Sequence, residues 1–224
     1  MRGFRSERGF FVAELDSGER AALAAVVADV AELLGAGRVE DGGRDATVRA
    51  DGAVRGTTPS PESLADLSLR VADIDPPGDT AVRRLLPDAS RDDPEISAEF
   101  RRLTEDDLRR VKTARLAALW DTLTAGPEQG WSAGVLLVRP DAAAALAATL
   151  TDVRLVLADR LGLDDDEASE ALYDALQHDE SDDASVHADP RAQVNRTLGS
   201  IYAALSWLQE SLLAVLLDEL DRPS

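Results

Sequence analysis

The sequence predicts a mainly α protein: a single helical bundle domain with a small β ribbon and a long C-terminal helix. Three observations carry that expectation. Apolar residues recur at helical spacing in three segments: Leu23, Val27, Val30 and Leu34; Leu146, Leu150, Val153 and Leu157; and a longer run from Val194 to Val215. Only FFVAEL (10–15) and VLLV (135–138) have the length and flanking turns of strands. The chain has 224 residues and 44% apolar content, enough to bury a sizeable core within one domain.

FFVAEL opens the chain as a strand, and Ser17 supplies an N-cap for a helix that ends near Gly35 and Gly37. Residues 38–63, rich in Gly, Asp, Arg and Thr and including TTPSP, cannot bury much surface and predict a mobile loop. SLADLSLRVADI (63–74) carries no assigned element. DPPGDTAVRRLLPDASRDDPE (75–95) holds a short helical turn, and Asp93 before Pro94 is an N-cap with proline at the first helical position. Thr104 and Asp107 resemble a capping box that restarts this helix. Leu108, Val111, Leu119, Trp120 and Leu123 face its core before Gly126 and Pro127 end it.

VLLV is the second strand, and Pro140 opens the next helix. An offset of 123 residues superposes this unit on the first and aligns Asp29 with Asp152. Either an internal duplication or two Ala-rich amphipathic helices of ordinary periodicity gives that match, and in both cases the strands at 10–15 and 135–138 can pair as a ribbon. After Asp189 and Pro190 the apolar residues Val194, Leu198, Ile201, Leu205, Leu208, Leu212 and Val215 repeat with heptad spacing, predicting a rod of roughly 45 Å. Tyr202, Leu213, Leu216, Leu217 and Leu220 widen the stripe. The helix therefore packs on its own domain and offers a seam to a partner, here a homodimer. Arg154, between Val153 and Leu157, is expected to be a structural ion pair with a carboxylate across a helix contact.

Charge narrows the partners. With 24 Lys plus Arg against 43 Asp plus Glu, the net charge of −19 repels nucleic acid and anionic membranes at long range and favours a basic protein. LLAVLL (212–217) falls far short of a membrane span, and the apolar stretch near the N-terminus is interrupted by Glu14 and Asp16, unlike a signal peptide. A cytoplasmic protein is expected. The absence of cysteine removes disulfides, thiolate metal sites and thiol nucleophiles together.

GWSAG (130–134) matches the nucleophile pattern G-x-S-x-G at Ser132, and His178 and His187 follow. A nucleophile elbow needs a strand before the serine and a helix after it. Here the order is reversed, and a small serine hydrolase is only an alternative reading; Trp131 in this loop is expected to plug the core. GAGRVEDGG (35–43) follows a helix and lacks the glycine spacing of a dinucleotide or P-loop fingerprint. Residues 164–189 hold eleven acids and no Lys or Arg, with both histidines embedded. The order of calcium ligands is missing there, so this acidic insert reads as a solvated face without metal. RRLTEDDLRRVK (101–112) gathers four arginines and Lys112, diluted by Glu105, Asp106 and Asp107; a direct DNA-binding regulator is a further alternative. Asn195 begins a glycosylation triplet without a secretory route. No catalytic, cofactor or metal residues are assigned.

Three blocks in order, DTAVRRLLPDASRDDPEISAEFRRLTEDDLRRVK, LTDVRLVLADRLGL and SIYAALSWLQESLL, resemble the actinobacterial oxidative stress regulator family, formerly a domain of unknown function. The resemblance implies a cytoplasmic, mainly helical, non-enzymatic regulator, encoded near a Clp protease adaptor. It would act through protein contacts with a transcription or sigma factor in redox and sulfur-metabolism gene control. The chain departs from that pattern in lacking the cysteine pair that redox sensing requires, and in carrying Thr151 where the family has Asn before Asp152 and Arg154.

Overall fold

The structure, a computed structural model, describes residues 1–35, 77–90, 92–126, 130–132, 134–179 and 190–220. The loop expected at 38–63, the segment 63–74 and His187 lie outside the described residues. Strands β1 (Arg2–Glu7), β2 (Phe10–Glu14) and β3 (Val135–Val138) form one antiparallel sheet in that spatial order. The helices are α1 (Ser17–Leu33), α2 (Thr80–Leu85), α3 (Pro94–Thr124), α4 (Pro140–Leu161), α5 (Asp166–Asp179) and α6 (Pro190–Leu220). A mainly α fold with a small sheet and a long C-terminal helix is therefore the architecture.

The two expected strands pair as neighbours, Phe11 opposite Val138 and Glu14 opposite Val135. A third strand, β1, joins them through a two-residue turn. Arg8 and Gly9 have φ of 51° and 79°, the left-handed pair whose twist matches a tight hairpin. Each of β2 and β3 leads into a helix, as the 123-residue offset suggests. The aligned acids nevertheless differ: Asp29 is exposed, whereas Asp152 is buried beside Lys112.

Helix α1 starts at Ser17, and its cap is one residue before the expected one. Asp16, not Ser17, accepts the Glu19 amide, and the Glu19 carboxylate takes the Asp16 amide in return. Helix α3 opens on Asp93, as the sequence predicts, but runs unbroken through Thr104, whose hydroxyl donates to the Phe100 carbonyl instead of capping a restart. Leu119 and Leu123 are buried as expected, together with Leu116, while Val111 faces solvent. α2 buries Ala81, Val82 and Leu85 and is tied to α4 by Thr80 to Asp159 (2.7 Å) and Arg160 to Asp79 (2.6 Å).

The core lies between the sheet, α1, α3, α4 and α6. The stripes Leu23, Val27, Val30, Leu34 and Leu150, Val153, Leu157 are all buried, as their spacing demands. Helix α6 packs along α4 and against β1. Leu205, Leu208 and Leu212 are at most 2% exposed, each burial contributing about 1.5–3 kcal/mol. The centre of the heptad is thus filled by the protein's own α4 and sheet, and a dimer seam through these residues is not open. A seven-residue repeat specifies a face, not whose helix covers it. α6 is also the one helix among the described residues long and apolar enough to match a membrane span; its inner face is buried in the core, while Val194, Trp207, Leu213 and Leu217 are exposed.

The acidic insert is helical in part. Within α5, Leu172 and Tyr173 pack on the core, and Gly199 of α6 is the contact point: a Cβ there would lie 2.7 Å from Leu172.

Candidate functional site

The C-terminal part of α3, β3 and the first turns of α4 enclose a cleft of about 490 Å3, a size typical of ligand-binding sites. Leu119, Leu137, Val138 and Leu146 supply apolar wall, and Ala118, Ala142 and Ala145 leave the floor low. Arg20, Arg115 and Arg139 line it with Asp121.

The three arginines are held differently. Arg20 reaches from α1 to the end of α3, where helix geometry leaves carbonyls without intrahelical donors and a negative dipole end. It donates to the carbonyls of Thr122 and Leu123 (both 2.9 Å), Ala125 (3.0 Å) and Val135 (3.2 Å), joining α3 to β3. Arg139 forks onto Asp141 at 3.1 and 3.3 Å. That hydrogen bond raises the arginine's pKa and lowers the aspartate's. Arg115 is half-buried and makes no hydrogen bond or ion pair among the described residues.

Among the described residues β3 is an edge strand. Leu15 donates to the Gly134 carbonyl at 2.8 Å, and in the same register Leu136 and Val138 turn their backbone groups toward β2. Val135 and Leu137 turn theirs outward to the cleft. The Val135 amide goes to the Ser132 carbonyl (3.3 Å) and its carbonyl to Arg20. Leu137's amide and carbonyl meet no partner among the described residues.

The sequence motifs fall elsewhere. Ser132 is exposed in the turn between α3 and β3, and His178 lies exposed on α5 with Nδ1 2.6 Å from the Asp174 carbonyl; neither lines the cleft. Trp131 does not plug the core. It packs edge-on to Phe10 with ring centroids 6.4 Å apart, beneath the Arg8 guanidinium at 5.1 Å, at the tip of the hairpin. The basic cluster of α3 is committed to carboxylates: Arg101 to Asp88, Arg102 to Glu99, Arg109 to Glu105, Arg110 to Asp107 and Lys112 to Asp152. Asn195 is exposed on α6.

Among the described residues Arg154 lacks the carboxylate expected of it. Its Nη1 donates to Gln209 Oε1 at 2.8 Å, its guanidinium sits 5.2 Å from the Tyr202 ring centroid, and its Nε is buried without a partner. The nearest acid in sequence, Asp152, points to the other side of α4 and takes Lys112 instead. Gln209 completes the contact by donating to Thr151 Oγ1 at 2.8 Å, so α4 and α6 are joined by an amide relay rather than an ion pair.

Along the outside of α6, Trp207, Leu213 and Leu217 stand 44%, 43% and 62% exposed, with Glu210 and Asp218 exposed between and beside them. Of the heptad, Leu198, Ile201 and Val215 are half-buried and Val194 is exposed. This outer ridge, not the inner seam, is what the helix exposes to solvent.

Sequence reasoning missed the cleft because its residues come from three separated stretches, around 20, 115–126 and 135–149. One local signal existed. Arg115 falls seven residues after Leu108 and four before Leu119, a cation on an apolar stripe.

No curated protein and no solved structure matches the chain. The family described as "Domain of unknown function (DUF2017)" matches residues 1–216. With its helices and sheet all reaching into that span, the chain belongs to the DUF2017 family.

Proposed function

We propose that the protein is a non-enzymatic regulator that acts in the cytoplasm through protein–protein contacts, in transcriptional control of redox or sulfur-metabolism genes. Its partner on this reading is a basic protein, a transcription or sigma factor. The observation that carries the reading is the outer ridge of α6: Trp207, Leu213 and Leu217 exposed on one helix, flanked by Glu210 and Asp218, in a chain of net charge −19. An apolar stripe edged with acids suits an amphipathic basic helix, whose apolar residues bury the stripe while its cations meet the acids. The gene-control element rests on the resemblance of the three sequence blocks. Self-association, if the protein dimerises, uses this ridge as well, because the inner heptad residues are occupied by the core.

The test is a double variant, Leu213→Arg with Leu217→Arg, at positions already facing solvent. A partner is captured with the parent protein, identified and purified, and its affinity for parent and variant is compared at low and high salt. Loss of binding in the variant with unchanged melting, and weakening with salt, support the reading. Equal binding by parent and variant refutes it.

A further inference from the structure

The cleft beside β3 has features the regulator reading does not use. We propose that it is a second binding site, which takes an extended segment of a partner protein as a fourth strand on β3 and receives an acidic side chain of that segment at Arg115. The α6 ridge plays no part in it.

The backbone selects the shape of the occupant. Leu137 turns its amide and its carbonyl toward the cleft, and neither has a partner among the described residues. An extended chain about 4.8 Å away pairs with both at once. A fatty acid or another small carboxylate fills apolar walls equally well but leaves that edge unmatched. The low floor made by Ala142 and Ala145 gives room for a main chain and its inward side chain.

Charge selects the chemistry. Arg20 is spent on four carbonyls and Arg139 on Asp141, so Arg115 is the cation of the cleft that has no partner among the described residues. The protein has 43 acidic residues against 24 basic ones, and still none of the described acids meets this half-buried guanidinium. A carboxylate brought in by another chain is its natural complement, in walls apolar enough to strengthen the pair.

The probe is a fluorescein-labelled pentapeptide, Thr-Val-Glu-Val-Thr, capped at both ends and titrated with the full chain by anisotropy. The expected result is saturable binding with a Kd of about 1 mM or tighter. Replacing the peptide Glu by Gln, or Arg115→Gln in the protein, weakens binding about ten-fold, and combining the two adds little. N-methylation of both peptide valines, which removes strand donors and keeps the side chains, weakens it by a similar factor. No saturation up to several times that concentration overturns the proposal. So does equal binding of the Glu and Gln peptides, or of the methylated and unmethylated ones. Decanoate is the competing probe, and its saturable, Arg115-dependent binding without peptide binding replaces the strand by a small carboxylate. If Arg115→Gln lowers the melting temperature, the peptide substitutions on the parent protein decide alone.

Discussion

Lys112→Met tests whether α3 and α4 are locked by one charged contact. Lys112 Nζ lies 2.5 Å from Asp152 Oδ1, and the side chains are 18% and 7% exposed. At an effective dielectric constant of about 20, unit charges that close attract by roughly 6–7 kcal/mol. Desolvation of the two ions offsets most of this, so the intact pair adds little net stability. Removing only the cation forfeits the attraction and leaves the Asp152 carboxylate buried, which costs about 3–5 kcal/mol. Methionine keeps the apolar stem, so the loss reports the charge. At about 2–4 °C per kcal/mol for a domain of this size, Tm falls by roughly 6–20 °C. Asp152→Leu alone costs less, because the lysine stem can carry its ammonium toward water. The double variant returns to within about 1 kcal/mol of the parent. Urea denaturation of all four proteins, with a constant m-value, gives the coupling directly. A loss below about 1 kcal/mol in Lys112→Met, or a double variant whose loss equals the sum of the singles, would refute the reasoning.

Gly134→Ala should destabilise by about 1–3 kcal/mol, because Gly134 has φ +95° and a Cβ there would lie 2.6 Å from the Leu15 carbonyl oxygen. Faster hydrogen exchange of the Leu15 amide would locate the damage at the β2–β3 join. Asp79→Asn keeps the N-cap of α2 but removes the pair with Arg160, whose hydrogen bond holds the Asp79 pKa below its ordinary 3.8. A depressed folded pKa stabilises above the unfolded value and loses that effect as pH falls through the folded one. The Tm gap between parent and variant is therefore full at neutral pH and closes below 3.8; a gap independent of pH contradicts the assignment. Peroxide should cause no thiol-reversible change in mass or oligomeric state, since the chain has no cysteine and one methionine. A change reversed by dithiothreitol in the purified protein would count against that.

Periodic apolar residues made α1, α4 and α6 legible, and turn-bounded runs gave β2 and β3 nearly to the residue. β1 was not, because RGFRSE has one large apolar side chain, Phe4, and an edge strand with a solvated face shows no alternation. α5 was hidden by its own acids: DEASEALYDALQHD buries little beyond Leu172 and Tyr173, so its composition resembles a solvated loop. Partners were less legible than elements. That Arg154 needs a neighbour follows from its place on a stripe, but whether the neighbour is Asp152 or Gln209 depends on how α4 is rotated against α6. The cleft depends on Arg20 reaching across more than a hundred residues to the end of α3, and no local pattern encodes that distance.

The contact between β1 and α6 sets an order of events during synthesis. The Phe4 amide donates to Ser211 Oγ at 3.0 Å, and Gly3 is pressed so closely on Ser211 and Trp207 that a Cβ would lie 2.9 Å from the serine. A ribosome adding 5–20 residues each second needs roughly 10–40 s between making these two ends. Throughout that interval the first hairpin can fold on itself and on α1, but its outer strand has no α6 to lean on. The nascent chain therefore carries an unprotected edge with Phe4 beside it, and chaperone dependence should be greatest for chains stalled just short of α6.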